Sequence, residues 1–387
     1  MSRDPKAETP GSAPLVKDAL ATPALLVDLD IFEANLKTMA EQCRRDGCNL
    51  RPHAKTHKCP EIARRQVAAG ARGISTATVA EAEAMVAAGL PGVLLTSPIL
   101  EPSKLTRMVD LARAGGEVLL AVGHARQVDL LAEAATAAAI HIDVLVDLDV
   151  GDLRFGILPG QPALELARRI GAHPSLRLRG IQAYSGMASH VHGFEARGKA
   201  SFETMSKAVE TFELLKRSGF GVEFLSCGST GTYNIDGRLP VPVELQCGSY
   251  IFMDGSYRAI GGIRGNAEYD DFGPSLTVLT TVVSTTHPGR VSVDAGVKSF
   301  STETAFRPEA KNWPGLRYEY HGDEFGRVLA DSPSDLPGIG DRLEFYVPHC
   351  DPTVNLYDRI YAIRGDVVED IWEIQARKEF RSPFTSR

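Results

Sequence analysis

Eight short apolar, β-branched runs recur along the first two thirds of this chain, each followed by a longer stretch with helical spacing, and that alternation limits the fold more than any other feature. The runs are Asn49 to Pro52, Gly73 to Thr76, Gly92 to Ser97, Glu117 to Val122, Ile142 to Asp147, Leu178 to Tyr184, Glu223 to Cys227 and Val243 to Phe252. Helix starts are marked between them: Thr78-Val79-Ala80-Glu81 has the form of a capping box, and Pro60 and Pro102 suit a first helical turn. Eight β/α steps within about 230 residues match a (β/α)8 barrel, with an open doubly wound sheet as the competing architecture.

From Ala267 the pattern changes. Leu276 to Ser284, Arg290 to Ala295, Arg342 to Val347, Arg359 to Arg364 and Val367 to Trp372 are strand-like and closely spaced, which predicts a mostly antiparallel β domain over residues 267–387 behind an α/β barrel over residues 25–266. Residues 1–24 are expected to form an arm or an added strand. The run Ala24 to Val27 precedes a helix whose start is read at Asp30-Ile31-Phe32-Glu33 and is expected to join the β domain. A net charge of −7 argues against nucleic acid or an anionic membrane as partner. The polar stretch Met1 to Asp18 does not resemble an export signal, and six cysteines without zinc-type pairing suit reduced thiols in the cytoplasm.

In a barrel, functional residues collect where strands end and loops begin. The first run opens into Arg51-Pro52-His53-Ala54-Lys55-Thr56-His57-Lys58, three cations and two imidazoles in eight residues. A lysine among other cations resists protonation and can attack a carbonyl, so Lys55 and Lys58 are both candidate nucleophiles. Later strands end in Asp149 to Arg154, in Tyr184-Ser185-Gly186 with His190, in Cys227 to Thr232 and in Cys247-Gly248-Ser249-Tyr250. Glycine and hydroxyl residues at two neighbouring late strands form the usual phosphate site of such barrels, so a phosphate-bearing carbonyl cofactor is expected opposite the lysine. In the second domain, His349 and Asp351 of His349-Cys350-Asp351-Pro352 would share one side of an extended segment and could grip a hard divalent ion such as Mn²⁺ or Mg²⁺; a hydrogen-bonded turn is the alternative.

The segments LRPHAKTHKCPEIARRQ (50–66), GIQAYSG (180–186), VELQCGSYIFMDG (243–255), VDAGVKS (293–299) and VPHCDPTVNLYD (347–358) together resemble the D-threonine aldolase and D-serine dehydratase-like family. The resemblance implies a fold-type III pyridoxal 5'-phosphate enzyme with an alanine-racemase-like barrel and a C-terminal β domain. It singles out Lys55 as the cofactor lysine and Arg154 as the arginine facing the pyridine nitrogen. It puts Tyr184 near the cofactor, and Thr230, Gly231, Gly248, Ser249 and Tyr250 at the phosphate. His349 and Asp351 become ligands of a divalent metal, and His190 a base. Two departures stand out. Ser75-Thr76-Ala77-Thr78 replaces a Cys-Cys-Gln-Lys run, so that the Thr76 hydroxyl would stand in for a glutamine near the cofactor, and Glu324-Phe325-Gly326 replaces Glu-His-Gly.

A His-x-Asp pair, harder than the His-x-Cys pair of the zinc dehydratases, favours an aldolase with Mn²⁺ or Mg²⁺. The expected reaction is retro-aldol cleavage of a small β-hydroxy D-amino acid to glycine and an aldehyde, in a cytoplasmic homodimer. The alternatives are a D-serine or 3-hydroxy-D-aspartate-type dehydratase, an amino-acid racemase, which leaves the metal pair without a task, and a noncatalytic cofactor-binding protein.

Overall fold

The computed structural model describes residues 14–377. The N-terminal arm therefore lies outside the described residues up to position 13. Beyond it the chain is tied down: Val16 pairs with Val367, and Val368 N–H donates to Leu15 O over 2.8 Å. The first strand, β1 (Ala24–Asp28), is followed by a helix over Leu29–Asp46. Asp28, not Asp30, caps that helix by accepting from Ile31 N–H, because the strand runs directly into the helix with no turn between them.

All eight barrel runs become strands of one parallel sheet: β2 (Asn49–Leu50), β3 (Ile74–Thr76), β4 (Val93–Leu95), β5 (Val118–Val122), β6 (Ile142–Leu148), β7 (Leu176–Ala183), β8 (Phe224–Cys227) and β9 (Val243–Leu245). Their spatial order is β2-β9-β8-β7-β6-β5-β4-β3. The two ends of that path meet, since Ser75 N–H donates to Pro52 O over 2.9 Å and His53 bridges Ser75 in parallel. The last run is shorter than its sequence promised: after Leu245 the chain turns through Gly248 into a single 3₁₀ turn, Ser249–Ile251. Helices link the strands as the caps predict. Pro60 and Pro102 occupy first turns, and Thr78 accepts from Glu81 N–H at 3.2 Å while Glu81 returns a bond to Ala77 N–H at 2.7 Å.

The second sheet is built from β1 and from β10 (Leu276–Ser284), β11 (Arg290–Val293), β12 (Glu309–Ala310), β13 (Arg317–Tyr320), β14 (Gly326–Leu329), β15 (Arg342–Tyr346), β16 (Arg359–Arg364) and β17 (Val367–Glu373). The main path is β13-β14-β11-β10-β1-β16-β17, with β15 paired to β10 and β12. Only the β1–β16 pairing is parallel. The added strand thus extends past residue 24 to Asp28, and the barrel side of the chain starts at the Leu29 helix. Buried residues of the barrel and of the second sheet, among them Leu25, Phe32, Tyr250, Val278 and Phe345, belong to one continuous apolar core. That shared core is what sets a loop of the second sheet against the barrel mouth.

Candidate functional site

Lys55 stands on a 3₁₀ turn, Ala54–Thr56, immediately after β2. The turn is fixed from both sides: His53 Nδ1 accepts from Lys55 N–H at 3.3 Å, and His53 N–H donates to Cys247 O at 3.1 Å. The Lys55 side chain, 43% open to solvent, makes an ion pair with Asp351. Burial alone would lower the lysine pKa, but the Asp351 carboxylate outweighs it and holds the amine protonated, above the ordinary lysine range. Asp351 is correspondingly driven below the usual carboxylate range, its burial outweighed by Lys55.

The octapeptide is therefore not a patch of mutually repelling cations. Arg51 forms a forked pair with buried Glu244, Nε to Oε1 at 2.5 Å and Nη2 to Oε2 at 2.9 Å. Lys58 reaches Asn355 Oδ1 at 2.8 Å and Glu81 at 3.7 Å. Burial pushes the imidazoles of His53 and His57 down to about 3 and about 4, so both are neutral. The expectation that cationic neighbours keep Lys55 unprotonated is reversed, because every cation in the segment has found its own partner.

A cavity of about 130 Å³ opens beside Lys55, lined by His53, Ala77, Thr96, Arg154, Gln182 and Tyr184 among others. Its floor is a chain of hydrogen bonds. His53 Nε2 lies 3.1 Å from Thr96 Oγ1, Gln182 Nε2 donates to Thr96 O at 3.0 Å and to Asp147 Oδ1 at 2.7 Å, and Gln246 Nε2 donates to Gln182 Oε1 at 3.0 Å. Burial raises the Asp147 carboxyl to about 7 against the pull of Gln182 and Arg154. The Arg154 guanidinium lies 5.4 Å from the Tyr184 ring centroid. Burial raises the Tyr184 phenol pKa, opposed by Lys55 and Arg154. Gln182, Gln246 and Asp147 were not singled out from the sequence, although polar residues within otherwise apolar barrel strands were there to be read.

After β8, Thr230 keeps a buried hydroxyl without a hydrogen-bond partner. Gly231 packs so closely that a Cβ there would stand 2.1 Å from Ser189 O, and one on Gly248 would stand 2.5 Å from Thr56 Oγ1. Ser249 opens the next 3₁₀ turn. The Tyr250 hydroxyl lies 3.2 Å from Gln66 Nε2. The Thr76 hydroxyl donates to Leu94 O at 3.1 Å in the barrel wall, so Ala77, and not Thr76, faces the cavity. His190 is exposed, with Nδ1 3.1 Å from Gly186 O and its ring 4.6 Å from that of Tyr257.

His349 caps the helix Cys350–Val354, which contains Asp351. This segment is helical and not extended as read from sequence, since Pro352 suits a first helical turn. Cys350 N–H donates to Asp254 Oδ2 at 2.8 Å and His349 N–H to Ser301 Oγ at 3.0 Å, bonds that fasten the turn over Lys55. His349 Nδ1 lies 2.6 Å from Glu303 Oε1. Among the described residues, no three His, Cys, Asp or Glu side chains gather as a metal-holding group.

A lysine after the first strand of a parallel barrel, with a mostly antiparallel sheet closing over its mouth, defines the alanine-racemase-like class. The alanine racemase N-terminal domain family matches residues 27–254, and a putative serine dehydratase domain matches residues 275–363. A D-threonine aldolase from Arthrobacter sp is 40% identical over 92% of both chains, and a 3-hydroxy-D-aspartate aldolase from Paracoccus denitrificans (strain Pd 1222) is 32% identical over 92% of both. The crystal structure of a D-threonine aldolase from Filomicrobium marinum superposes with a TM-score of 0.89 at 36% identity, covering 95% of this chain and 99% of that one. The chain belongs to the D-threonine aldolase and D-serine dehydratase-like family.

Proposed function

We propose that this chain is an aldolase that uses pyridoxal 5'-phosphate and a divalent cation, Mn²⁺ or Mg²⁺, to cleave β-hydroxy D-amino acids of the D-threonine type into glycine and an aldehyde. The observation that carries this reading is the meeting of Lys55 with Asp351: a turn of the second sheet brings a carboxylate to the amine at the barrel mouth, with His349 two residues before it in the chain. The 40% identity to a D-threonine aldolase supports it.

The residues fit the cofactor. The unpartnered Thr230 hydroxyl and the close-packed backbone at Gly231 and Gly248 suit a phosphate, with Ser249 and Tyr250 in the adjoining turn. Lys55 would hold the carbonyl carbon, and Arg154, lying against Tyr184, would keep a permanent cation at the ring. His349 and Asp351 would hold the cation, with water and substrate completing its shell. When bound, the cofactor supplies a sink for the electron pair left on Cα and the cation lowers the pKa of the β-hydroxyl.

The chain's own groups then handle the protons. Because Gly186 O can only accept, His190 donates its Nδ1–H there and leaves Nε2 as the acceptor for the β-hydroxyl proton. The Cα–Cβ bond breaks, its electrons stay on Cα, and Cβ leaves as the aldehyde carbonyl. The Lys55 amine, released from the carbonyl carbon when substrate binds, would return a proton to Cα to give glycine. The reading expects a cytoplasmic homodimer; no helix among the described residues is long and apolar enough to cross a membrane, and all six thiols are free.

The test is product identification with D-threonine, D-serine and 3-hydroxy-D-aspartate, each with and without Mn²⁺ after chelation. Glycine and acetaldehyde from D-threonine are expected; 2-oxobutanoate and ammonia would instead favour dehydration, a second reading drawn from the serine dehydratase domain match. Activity indifferent to chelation would remove the cation, and a Lys55→Ala protein that keeps the absorbance of the lysine-bound cofactor would remove Lys55.

A further inference from the structure

Away from the Lys55 cavity, the second sheet carries another pocket of about 130 Å³, lined by Arg290, Arg327, His287, His321, Ser284 and Ser292 together with one threonine, and by no carboxylate. Strand register puts these groups together. Ser284 on β10 is the partner of Ser292 on β11, and Ser292 is the partner of Arg327 on β14, so the three stand in one cross-strand row on one face. Arg290 lies two residues before Ser292 and shares that face.

The charges in this row are poorly neutralised. Arg290 Nε is buried and has no hydrogen-bond partner. Arg327 Nη2 donates to the His321 ring, 2.8 Å from Nδ1, and its carboxylate contact, Nη1 to Glu319 Oε2, is long at 3.4 Å. Two guanidinium forks and two hydroxyls converging on a small concave site match the acceptor-rich, dianionic surface of a tetrahedral oxyanion.

We propose that this pocket binds a small oxyanion, either inorganic phosphate or the phosphate group of a small monoester. It shares no lining residue with the Lys55 cavity, and the proposal does not depend on the cofactor or on the reaction assigned above.

The test is calorimetric titration of the full chain with inorganic phosphate. The protein is first saturated with pyridoxal phosphate and desalted, so that the Thr230–Ser249 cradle is filled, and chloride is varied to hold ionic strength constant. Saturable one-to-one binding is expected, weakened at least about tenfold in the double variant Arg290→Gln, Arg327→Gln. Ser292→Asp, which puts a carboxylate into the row while keeping both arginines, should weaken binding to the same degree at an unchanged melting temperature. Absence of saturable binding, or binding that survives in both variants, overturns the site. Methyl phosphate distinguishes the sources: affinity equal to that of inorganic phosphate assigns the group of a monoester, and binding of inorganic phosphate alone assigns the free ion.

Discussion

Glu244→Gln should destabilise the fold more than any surface change, and the size of the effect follows from Arg51. The pair lies inside the barrel, 3% and 1% exposed, and Arg51 also donates to Gly92 O. Glutamine keeps one acceptor but removes the charge and turns an N–H₂ toward a guanidinium that can only donate. Breaking a buried pair from one side costs about 3–5 kcal/mol. With an unfolding entropy of about 2.1 cal/mol/K per residue, a chain of 387 residues has a slope near 0.8 kcal/mol/K, so the melting temperature should fall by about 4–6 °C. Calorimetry on the wild type, on Glu244→Gln and on the double variant Arg51→Met, Glu244→Leu checks this. The double variant should lie closer to wild type, because apolar residues of similar size replace both charges together. A Glu244→Gln protein melting within about 1 °C of wild type would refute the argument, since Arg51 would then have to be hydrated in the interior.

Gly231→Ala forces a Cβ to 2.1 Å from Ser189 O, so the turn after β8 must shift; pyridoxal phosphate affinity, read from its absorbance, should fall at least about tenfold. His190→Ala should lower kcat by about 10²-fold with little change in cofactor absorbance if its Nε2 takes the hydroxyl proton. Burial raises the Asp236 carboxyl to about 6, above its unfolded value. Native Asp236 therefore holds a proton more tightly than the unfolded chain, and its contribution to stability declines as pH rises from about 4 to 6. Asp236→Asn removes that dependence. Unfolding free energies from urea titrations should shift in favour of the variant by about 2–2.5 kcal/mol between pH 4 and pH 7.

The barrel was legible because its strands are buried on both faces and read as apolar runs. The second sheet was read in part. Leu276–Ser284 and Arg359–Arg364 appear at their expected bounds, whereas Arg317–Tyr320 and Gly326–Leu329, short and half polar, carried no comparable signal. Lys55 could be located after the first barrel strand, but its protonation could not, because Asp351 lies 296 positions away in the chain. Thr76 shows the converse limit. Its residue type suited the cavity, yet β3 pairs with β4 in the register Thr76 to Leu95, and the hydroxyl satisfies the Leu94 carbonyl instead.

The placement of β1 has a consequence for how the molecule is made. This strand lies between β10 and β16, with Ala24 opposite Leu279 and Leu26 beside Tyr361. At roughly 5–20 residues per second, a ribosome needs about 10–50 s after making β1 to produce its first partner. During that interval the barrel can close while an apolar strand, Ala-Leu-Leu-Val-Asp, waits with both edges open. The newborn chain is thus exposed to aggregation at this early strand, and the second sheet becomes whole only when β16, made long after β10 has covered one edge, arrives to cover the other.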